Sequence, residues 1–161
     1  MIVRASYTRS PEAAKSQLFA ITTKPDQHGQ AQNHQPFDGV AAVSTQDVYG
    51  LIEHAQPKSY FYHLMLSPDP GTEDVRRDLH LRSVTEAAMV DLGEHIRRPF
   101  RWAAVAHTAP ARYRHIHVLA ILRRRLDRTA LALLRESASQ ECRFQREGLN
   151  TGDGKGGADP S

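Results

Sequence analysis

Several features that mark large protein classes are scarce in this chain of 161 residues. A single cysteine, Cys142, excludes a disulfide scaffold and a cysteine-ligated zinc knuckle, and it suits a reducing compartment. The longest apolar runs, such as residues 118–122, are far shorter than the roughly 20 residues that a membrane span needs. The first residues contain no long apolar segment of the secretory type. We therefore expect a cytoplasmic protein that is neither secreted nor inserted in a membrane.

What the chain does have is the composition of a globular domain with a core. Apolar residues make up 40% of the sequence and charged residues 24%, and the formal net charge is +3. This length accommodates one domain. We place that domain at residues 1–145 and include in it a polar loop at 22–39, which has almost nothing to bury. Residues 146–161 are rich in Gly and Asp, and we predict that they form a disordered tail.

The hydrophobic pattern predicts elements in the order α-α-β-α-β-β-α. Ser10, Pro11 and Glu12, for example, are typical of a helix start. Helical spacing and start signals predict helices over 10–20, 45–56, 77–96 and 126–141. Aromatic and branched runs predict strands over 59–67, 100–108 and 114–122. Adjacent antiparallel strands covered by helices indicate an α+β fold.

Histidine is present in unusual number, with nine in the chain. His115 and His117 are two residues apart on a predicted strand, so both side chains point to the same face. His107 ends the preceding strand and reaches the same face if the two strands pair. Three neutral imidazoles that converge on a rigid sheet form a divalent-metal site with open positions for substrate oxygens. The alternative of unrelated hydrogen-bonded histidines stays open, as does a part for His63 on the third strand.

Positive charge is concentrated around these histidines in the sequence. Between residues 97 and 128, nine arginines accompany a single acidic residue, Asp127. Arginine forms bidentate contacts with phosphates and stacks on bases, so this segment predicts a nucleic-acid partner rather than only a solvated edge. The predicted contacts are Arg97, Arg98, Arg101, Arg112, Arg114, Arg123, Arg124 and Arg125.

Three segments together resemble one known family. The segment HTAPARYRHIHV at residues 107–118 resembles the three-histidine motif of conjugative relaxases, the HUH-type mobilization nucleases. The upstream YFYHLMLSPD at residues 60–69 resembles the strand of that family that ends in a serine before a short turn. Tyr7-Thr8-Arg9 looks like the N-terminal segment that carries the nucleophilic tyrosine. The resemblance covers roughly residues 1–145.

The resemblance implies a metal-dependent enzyme that nicks and rejoins single-stranded DNA at the transfer origin of a plasmid or mobile element. In such a reaction a tyrosine hydroxyl forms a 5′-phosphotyrosyl link and releases a 3′-hydroxyl. The resemblance assigns Mg²⁺ or Mn²⁺ to His107, His115 and His117, and it assigns Tyr7 as the nucleophile. Tyr113, which lies next to Arg114 and His115, is the competing tyrosine. Accessory mobilization proteins are the further partners that the family implies.

Two departures from the family pattern favour an alternative function. The acidic position of the family, two residues after the first histidine, is Ala109 here, and Asp69 and Glu73 are the candidates to replace it. Only six residues precede Tyr7, where relaxases have a strand and part of a helix. The alternative is a degenerate relaxase, a basic domain that binds nucleic acid without cutting it. A histidine-triad hydrolase is excluded because its third histidine would fall at Leu119, and a two-histidine phosphoesterase because its repeats are missing.

Overall fold

The fold is an antiparallel sheet with helices packed on both of its faces. A computed structural model of the protein describes residues 1–25, 28–30, 34–108 and 113–153. Their elements are, in chain order, β1 Ile2–Thr8, α1 Pro11–Thr22, α2 Thr45–Glu53, β2 Tyr60–Ser67, α3 Leu81–Ile96, β3 Arg101–His107, β4 His115–Leu122 and α4 Arg128–Asp153. The strand order is β1-β2-β4-β3, and every neighbouring pair is antiparallel. The predicted α+β class is confirmed.

Strand β1 is absent from the predicted order of elements. It is an edge strand that pairs along its whole length with β2, from Ile2 opposite Ser67 to Thr8 opposite Phe61. Most of its side chains are exposed, so the sequence carries little of the hydrophobic alternation that marks a half-buried strand. Main-chain hydrogen bonds to β2 form this strand, and only the tertiary pairing reveals it.

Each face of the sheet has its own core. The front face carries Phe61, Ala103 and Leu119, on which α1 and α2 pack with residues such as Leu18 and Ile52. The back face carries the alternating residues, among them Tyr62, Leu64, Val118 and Ala120, and α3 and α4 cover it. The front core is the smaller of the two. His63, His107, His115 and His117 share the front face with it.

The segment predicted as a polar loop at 22–39 contains residues that anchor it to the sheet, and Phe37 is an example. Phe37 is buried, and its main chain exchanges hydrogen bonds of 2.8–2.9 Å with Ala104 on β3. The ring of Phe37 lies edge-on to that of Trp102, with their centroids 6.3 Å apart. Where it is described, this loop therefore packs along the outer edge of β3.

Helix α4 extends past both of its predicted boundaries, at 141 for the helix and at 145 for the domain. It continues to Asp153, eight residues into the predicted tail. Ala130, Leu134, Ala138 and Cys142 form its buried stripe, and one turn further on Arg146 holds Asp78 at 3.2 Å. This contact gives the polar end of the helix a tertiary partner, which the composition of the segment does not reveal. Residues 154–161 lie outside the described residues.

The sequence predicts that the protein is not inserted in a membrane. Among the residues that the structure describes, no helix is both long and apolar enough to cross a membrane.

Candidate metal centre

The structure brings the three predicted histidines to one point at the end of the sheet. His107 is the last residue of β3 and His115 is the first of β4, and the antiparallel register pairs them directly. His117 lies two residues further along β4, so its side chain shares the front face. Each ring offers one nitrogen, and these nitrogens all lie within 4.8 Å of one another. The strand ends thus create a site with the ligand number of an open metal centre.

Two backbone carbonyl groups fix the ring protons of His107 and His115. Nε2 of His107 lies 2.9 Å from the carbonyl oxygen of Ile21, near the end of α1. Nδ1 of His115 lies 3.1 Å from the carbonyl oxygen of Tyr113. A carbonyl oxygen only accepts, so both of these nitrogens carry the hydrogen and donate it. In the neutral rings the lone pairs are then on Nδ1 of His107 and on Nε2 of His115.

Those two lone-pair nitrogens lie 3.1 Å apart. When both rings are neutral and carry their protons on the outer nitrogens, no hydrogen lies between the two facing nitrogens. The contact between their lone pairs is then repulsive. A cation bound to both nitrogens removes the repulsion, because metal–nitrogen bonds of about 2.0–2.1 Å bring two ligands to roughly this separation. Hydrogen bonds from the outer ring nitrogens to carbonyl groups commonly orient histidine ligands. The geometry therefore fits a metal better than a direct hydrogen bond.

The histidine rings are neutral at physiological pH. Burial lowers the pKa of His107 to about 4 and that of His117 to about 3. Burial also lowers the pKa values of His115 and His63. The nearby ammonium of Lys24 acts in the same direction on the three clustered rings. Neutral imidazole is the form that binds metals, so the site needs no proton release before a metal binds.

A hydrogen-bond chain through two further side chains, His63 and Gln17, supports His117. Nδ1 of His117 lies 2.8 Å from Nε2 of His63, and Nδ1 of His63 lies 2.8 Å from the amide nitrogen of Gln17 on α1. The rings of His63 and His117 are nearly coplanar, at 15°. These contacts engage Nδ1 of His117, so a metal would bind its Nε2 when that nitrogen carries the lone pair. The sequence left open whether His63 has a role at this site. In the structure, His63 contacts His117, which is a candidate ligand.

The amide of Gln17 sets the direction of the protons in this chain. When its nitrogen faces His63, as here, His63 accepts from Gln17 and donates to His117, so the proton of His117 lies on Nε2. When a half turn of the amide presents the oxygen instead, every hydrogen bond reverses and Nε2 of His117 gains a lone pair. Only the second arrangement is ready to bind a metal with a neutral His117. This hydrogen-bond chain is surrounded by apolar residues, including Leu18, Ala103 and Leu119.

Neither of the two acids suggested as replacements reaches the histidines. The carboxylate of Asp69 accepts hydrogen bonds from the backbone of Gly71 and Thr72 in its own turn. Glu73 pairs with the N-terminal ammonium at 2.9 Å and accepts from the hydroxyl of Ser139. Ala109, at the acidic position of the family, lies outside the described residues. Within the described residues the candidate ligand set consists of three histidines and includes no carboxylate.

Tyr7, assigned as the nucleophile by resemblance, does not lie at this centre. Its partner on β2 is Tyr62, which pairs in turn with Ala120 on β4, and these residues belong to the back face. His117 is level with Arg4, three residues away along β1, so Tyr7 points to the opposite side of the sheet. Two strand spacings and three residues put the backbones of Tyr7 and His117 about 14 Å apart. The assignment of Tyr7 to the metal centre is therefore corrected.

Among the other tyrosines, Tyr113 is the one that adjoins the centre. Its carbonyl group accepts from the ring of His115, and its side chain is 47% exposed. Tyr60 and Tyr62 follow Tyr7 to the back face, where Tyr62 is buried. Tyr49 belongs to α2 and packs against the front core. Tyr113 is therefore the tyrosine whose main chain contacts the centre, and its part as the competing nucleophile stays a prediction.

The predicted arginine contacts divide into three groups. Six of them lie at the end of the sheet opposite the histidines. Three precede or begin β3, namely Arg97, Arg98 and Arg101, and three follow β4, namely Arg123, Arg124 and Arg125. Seven residues of β4 separate the two ends by about 20 Å. Arg114 is close to the centre but bonds to Asp74 at 3.2 Å and to the carbonyl group of Leu79, both in a largely buried setting. This ion pair makes Arg114 structural rather than a nucleic-acid contact. Arg112 lies outside the described residues.

The sequence analysis missed several residues of the centre. Gln17 and the carbonyl group of Ile21 are separated from the histidine motif by more than 80 residues and carry no motif of their own. His34 is a further example, since its ring lies 4.5 Å from that of His107, centroid to centroid. For His63 a signal existed, because it belongs to a predicted strand, but its face depends on the pairing of β2 with β4.

Comparisons of the chain with protein-family models, with curated proteins and with solved structures found no match.

Proposed function

We propose that the chain is a metal-dependent, relaxase-like enzyme that nicks and rejoins single-stranded DNA at a transfer origin. The observation that carries the proposal is the contact between Nδ1 of His107 and Nε2 of His115. Two lone pairs face each other there at 3.1 Å, beside His117 and at the end of the sheet. Such a site suits a cation, which His107, His115 and His117 would hold and which would polarise a phosphate group as a Lewis acid.

The donor set also bears on the choice between Mn²⁺ and Mg²⁺. Imidazole nitrogens suit transition metals, whereas Mg²⁺ prefers oxygen ligands and keeps its waters. We therefore favour Mn²⁺ over Mg²⁺ for this site of three neutral rings. When bound, such an ion neutralises charge on the scissile phosphate and orients it. The protein contributes the orientation of the rings through Ile21, Tyr113 and the chain from His117 to Gln17.

Tyr113 is the nucleophile in this proposal. Its hydroxyl oxygen attacks the phosphorus atom, a bond forms between the two, and the bond from phosphorus to the 3′ oxygen breaks. The electron pair leaves with the 3′ oxygen, which takes the phenol proton and becomes a 3′-hydroxyl group. The reverse reaction reseals the strand. The exposure of Tyr113 and its position next to His115 support this assignment.

A cleavage assay tests the proposal on a panel of single-stranded origin-type oligonucleotides with Mn²⁺, with covalent protein–DNA adducts resolved on denaturing gels. We expect adducts with the wild type and with Tyr7→Phe, and none with Tyr113→Phe or with His115→Ala/His117→Ala. Adducts that disappear with Tyr7→Phe and persist with Tyr113→Phe would overturn the choice of tyrosine. Cleavage that persists without the histidines would overturn the metal centre.

A specific observation favours a second candidate function, a nucleic-acid-binding domain that does not cut. Within the described residues no carboxylate joins the histidine cluster, and Asp69 and Glu73 are engaged elsewhere. A site without the family acid can retain a metal and lose the reaction. Salt-sensitive binding of DNA without adducts, for every oligonucleotide of the panel, would select this function over the nuclease. Accessory mobilization proteins are partners in either case.

A further inference from the structure

The arginines remote from the metal centre line a cavity at the other end of the sheet. The cavity has a volume of about 230 Å³ and lies between the end of α3 and the start of α4. Apolar side chains such as Phe100, Leu122 and Leu126 contribute to its lining. The cationic residues around it are Arg98, Arg123, Arg124 and Arg125, and His95 also lines it. An apolar pocket with several guanidinium groups suits a ligand that is both aromatic and anionic.

The arginines of this cavity outnumber the acid that lines it with them, Asp127. Among the described residues, no ion pair involves Arg98, Arg124 or Arg125. The nearest acid in sequence is Asp127, whose carboxylate accepts a hydrogen bond from the backbone of Ala130 at the start of α4. This contrasts with Arg114, whose charge is matched by Asp74. Clustered cations that exceed the neighbouring acids in number attract polyanions.

Exposed tyrosine rings continue the surface from the cavity to the edge strand β1. Tyr7 is 42% exposed, and the guanidinium carbon of Arg125 lies 5.3 Å from the centre of its ring. The ring of Tyr60 lies edge-on to that of Tyr7, with centroids 5.3 Å apart, and Arg9 lies 4.8 Å from the centre of Tyr60. Cation–π contacts hold these guanidinium groups in place. Arg9 also donates to the carbonyl oxygen of Lys58 at 3.5 Å, so its other N–H groups and those of Arg125 are the candidates to contact phosphates.

We infer that the cavity arginines together with Tyr7, Tyr60 and Arg9 form a second, metal-independent binding site for single-stranded DNA. We call this surface the anchor patch. The arginines contact backbone phosphates, and the ring of Tyr7 stacks on a base that is free of a partner strand. The choice of single-stranded DNA as the ligand rests on the proposed function. The separation of this surface from the metal centre rests on the sheet register. Tyr7 thereby acts in binding rather than as the nucleophile.

The separation gives the anchor patch a distinct task. It lies on the back face, with its cavity arginines about 20 Å along the sheet from the histidines and Tyr7 about 14 Å from His117, so one nucleotide cannot occupy both sites. A strand bound at the anchor patch remains on the protein after a break at the metal centre. Retention of this kind is what a rejoining reaction requires, since the free end has to return to the same site.

Fluorescence anisotropy with a labelled oligothymidine in excess EDTA tests the anchor patch without any contribution from a metal. The test variant is Arg124→Gln/Arg125→Gln, and the matched control is Arg135→Gln/Arg143→Gln, which removes two exposed charges of α4 outside the cavity. We expect the slope of log K against log salt to become shallower by about 1.4 for the test variant, with no such change for the control. Equal behaviour of the two double variants would overturn the site.

A second pair of variants tests stacking. Tyr7→Leu should weaken binding of oligothymidine about tenfold, whereas Tyr7→Phe, which keeps the ring, should bind like the wild type. Equal affinity of Tyr7→Leu and the wild type, or binding of a DNA duplex as tight as that of the single strand, would overturn the assignment to a single strand. These assays also separate the two proposals. If the wild type cuts no oligonucleotide but the arginine variant loses binding, the nuclease proposal fails and the anchor patch stands.

Discussion

At the scale of single residues, the histidines are buried or half-buried bases that the fold keeps neutral. Burial lowers the pKa of His107 to about 4 and that of His117 to about 3, against an ordinary value of 6.5, and those of His63 and His115 fall as well. A ring of this kind releases its proton on folding in mildly acidic solution. The energetic consequence is a dependence of stability on pH.

We expect the free energy of unfolding of the metal-free protein to fall as the pH drops from about 6.5 towards 4. In this window the unfolded chain binds protons at the histidines and the folded chain does not, so acid favours unfolding. Above about 6.5 both states are neutral and the contribution is complete. Urea titrations in EDTA at a series of pH values measure the slope. The variant His107→Asn/His117→Asn should show a flatter profile, and an unchanged profile would contradict the prediction.

The chain from His117 to Gln17 makes a second prediction at this scale. Replacing His63 by Leu removes the partner that orients His117, and losses of this kind typically lower metal affinity by about 10- to 100-fold. Gln17→Glu offers only acceptor oxygens to His63, fixes the proton order that frees Nε2 of His117, and should bind Mn²⁺ at least as tightly as the wild type. Gln17→Leu should bind it more weakly. Calorimetric titration with Mn²⁺ measures all three, and equal affinities would exclude a role for the chain.

At the scale of elements, the loop between β2 and α3 is held by a buried ion pair. Arg114, just before β4, bonds to Asp74 in this loop, and the two side chains are 11% and 4% exposed. The guanidinium group also donates to the carbonyl of Leu79, which precedes α3. One arginine thus connects the start of β4 with the loop that leads into the back-face helices.

Removal of this arginine should be costly. Arg114→Met leaves Asp74 buried without its partner, and we expect a loss of about 3–5 kcal/mol in the free energy of unfolding. The matched control is Arg82→Met, which breaks a partly exposed pair with Glu86 on α3 and should cost no more than about 0.5 kcal/mol. Urea denaturation of both variants provides the comparison. A similar small effect for both would show that Arg114 is not structural.

At the scale of the whole molecule, the candidate metal centre joins elements from distant parts of the chain. The rings come from β3 and β4, and their orientation comes from the end of α1 and from β2. A metal held by these rings would join β3 to β4 in the folded state, and the unfolded chain has no equivalent site. Binding should therefore stabilise the whole domain by mass action.

We expect free Mn²⁺ at about 100 times its dissociation constant to raise the free energy of unfolding by about 2.7 kcal/mol. Thermal unfolding with increasing Mn²⁺ measures this as a rising midpoint, and Mg²⁺ should give a smaller shift at equal concentration because the donors are imidazoles. The His115→Ala/His117→Ala variant should show no shift with either ion. A shift that survives in that variant would place the metal elsewhere.

The sequence by itself determined the fold class, seven of the eight elements and the identity of the clustered histidines. These features depend on local patterns: alternation places His115 and His117 on one face, and cap residues such as Ser10 and Ser44 start their helices where predicted. Such patterns are properties of neighbouring residues, so they can be read without knowledge of the packing.

Only the tertiary structure decided which face and which end of the sheet each side chain occupies. The pairing of β1 with β2 moved Tyr7 to the back face, and the direction of β3 and β4 separated Arg101 and Arg123 from the histidines that they neighbour in sequence. Gln17 and His63 joined the centre for the same reason. Strand register and chain direction follow from contacts between distant residues, and a one-residue change in register reverses the face of every side chain.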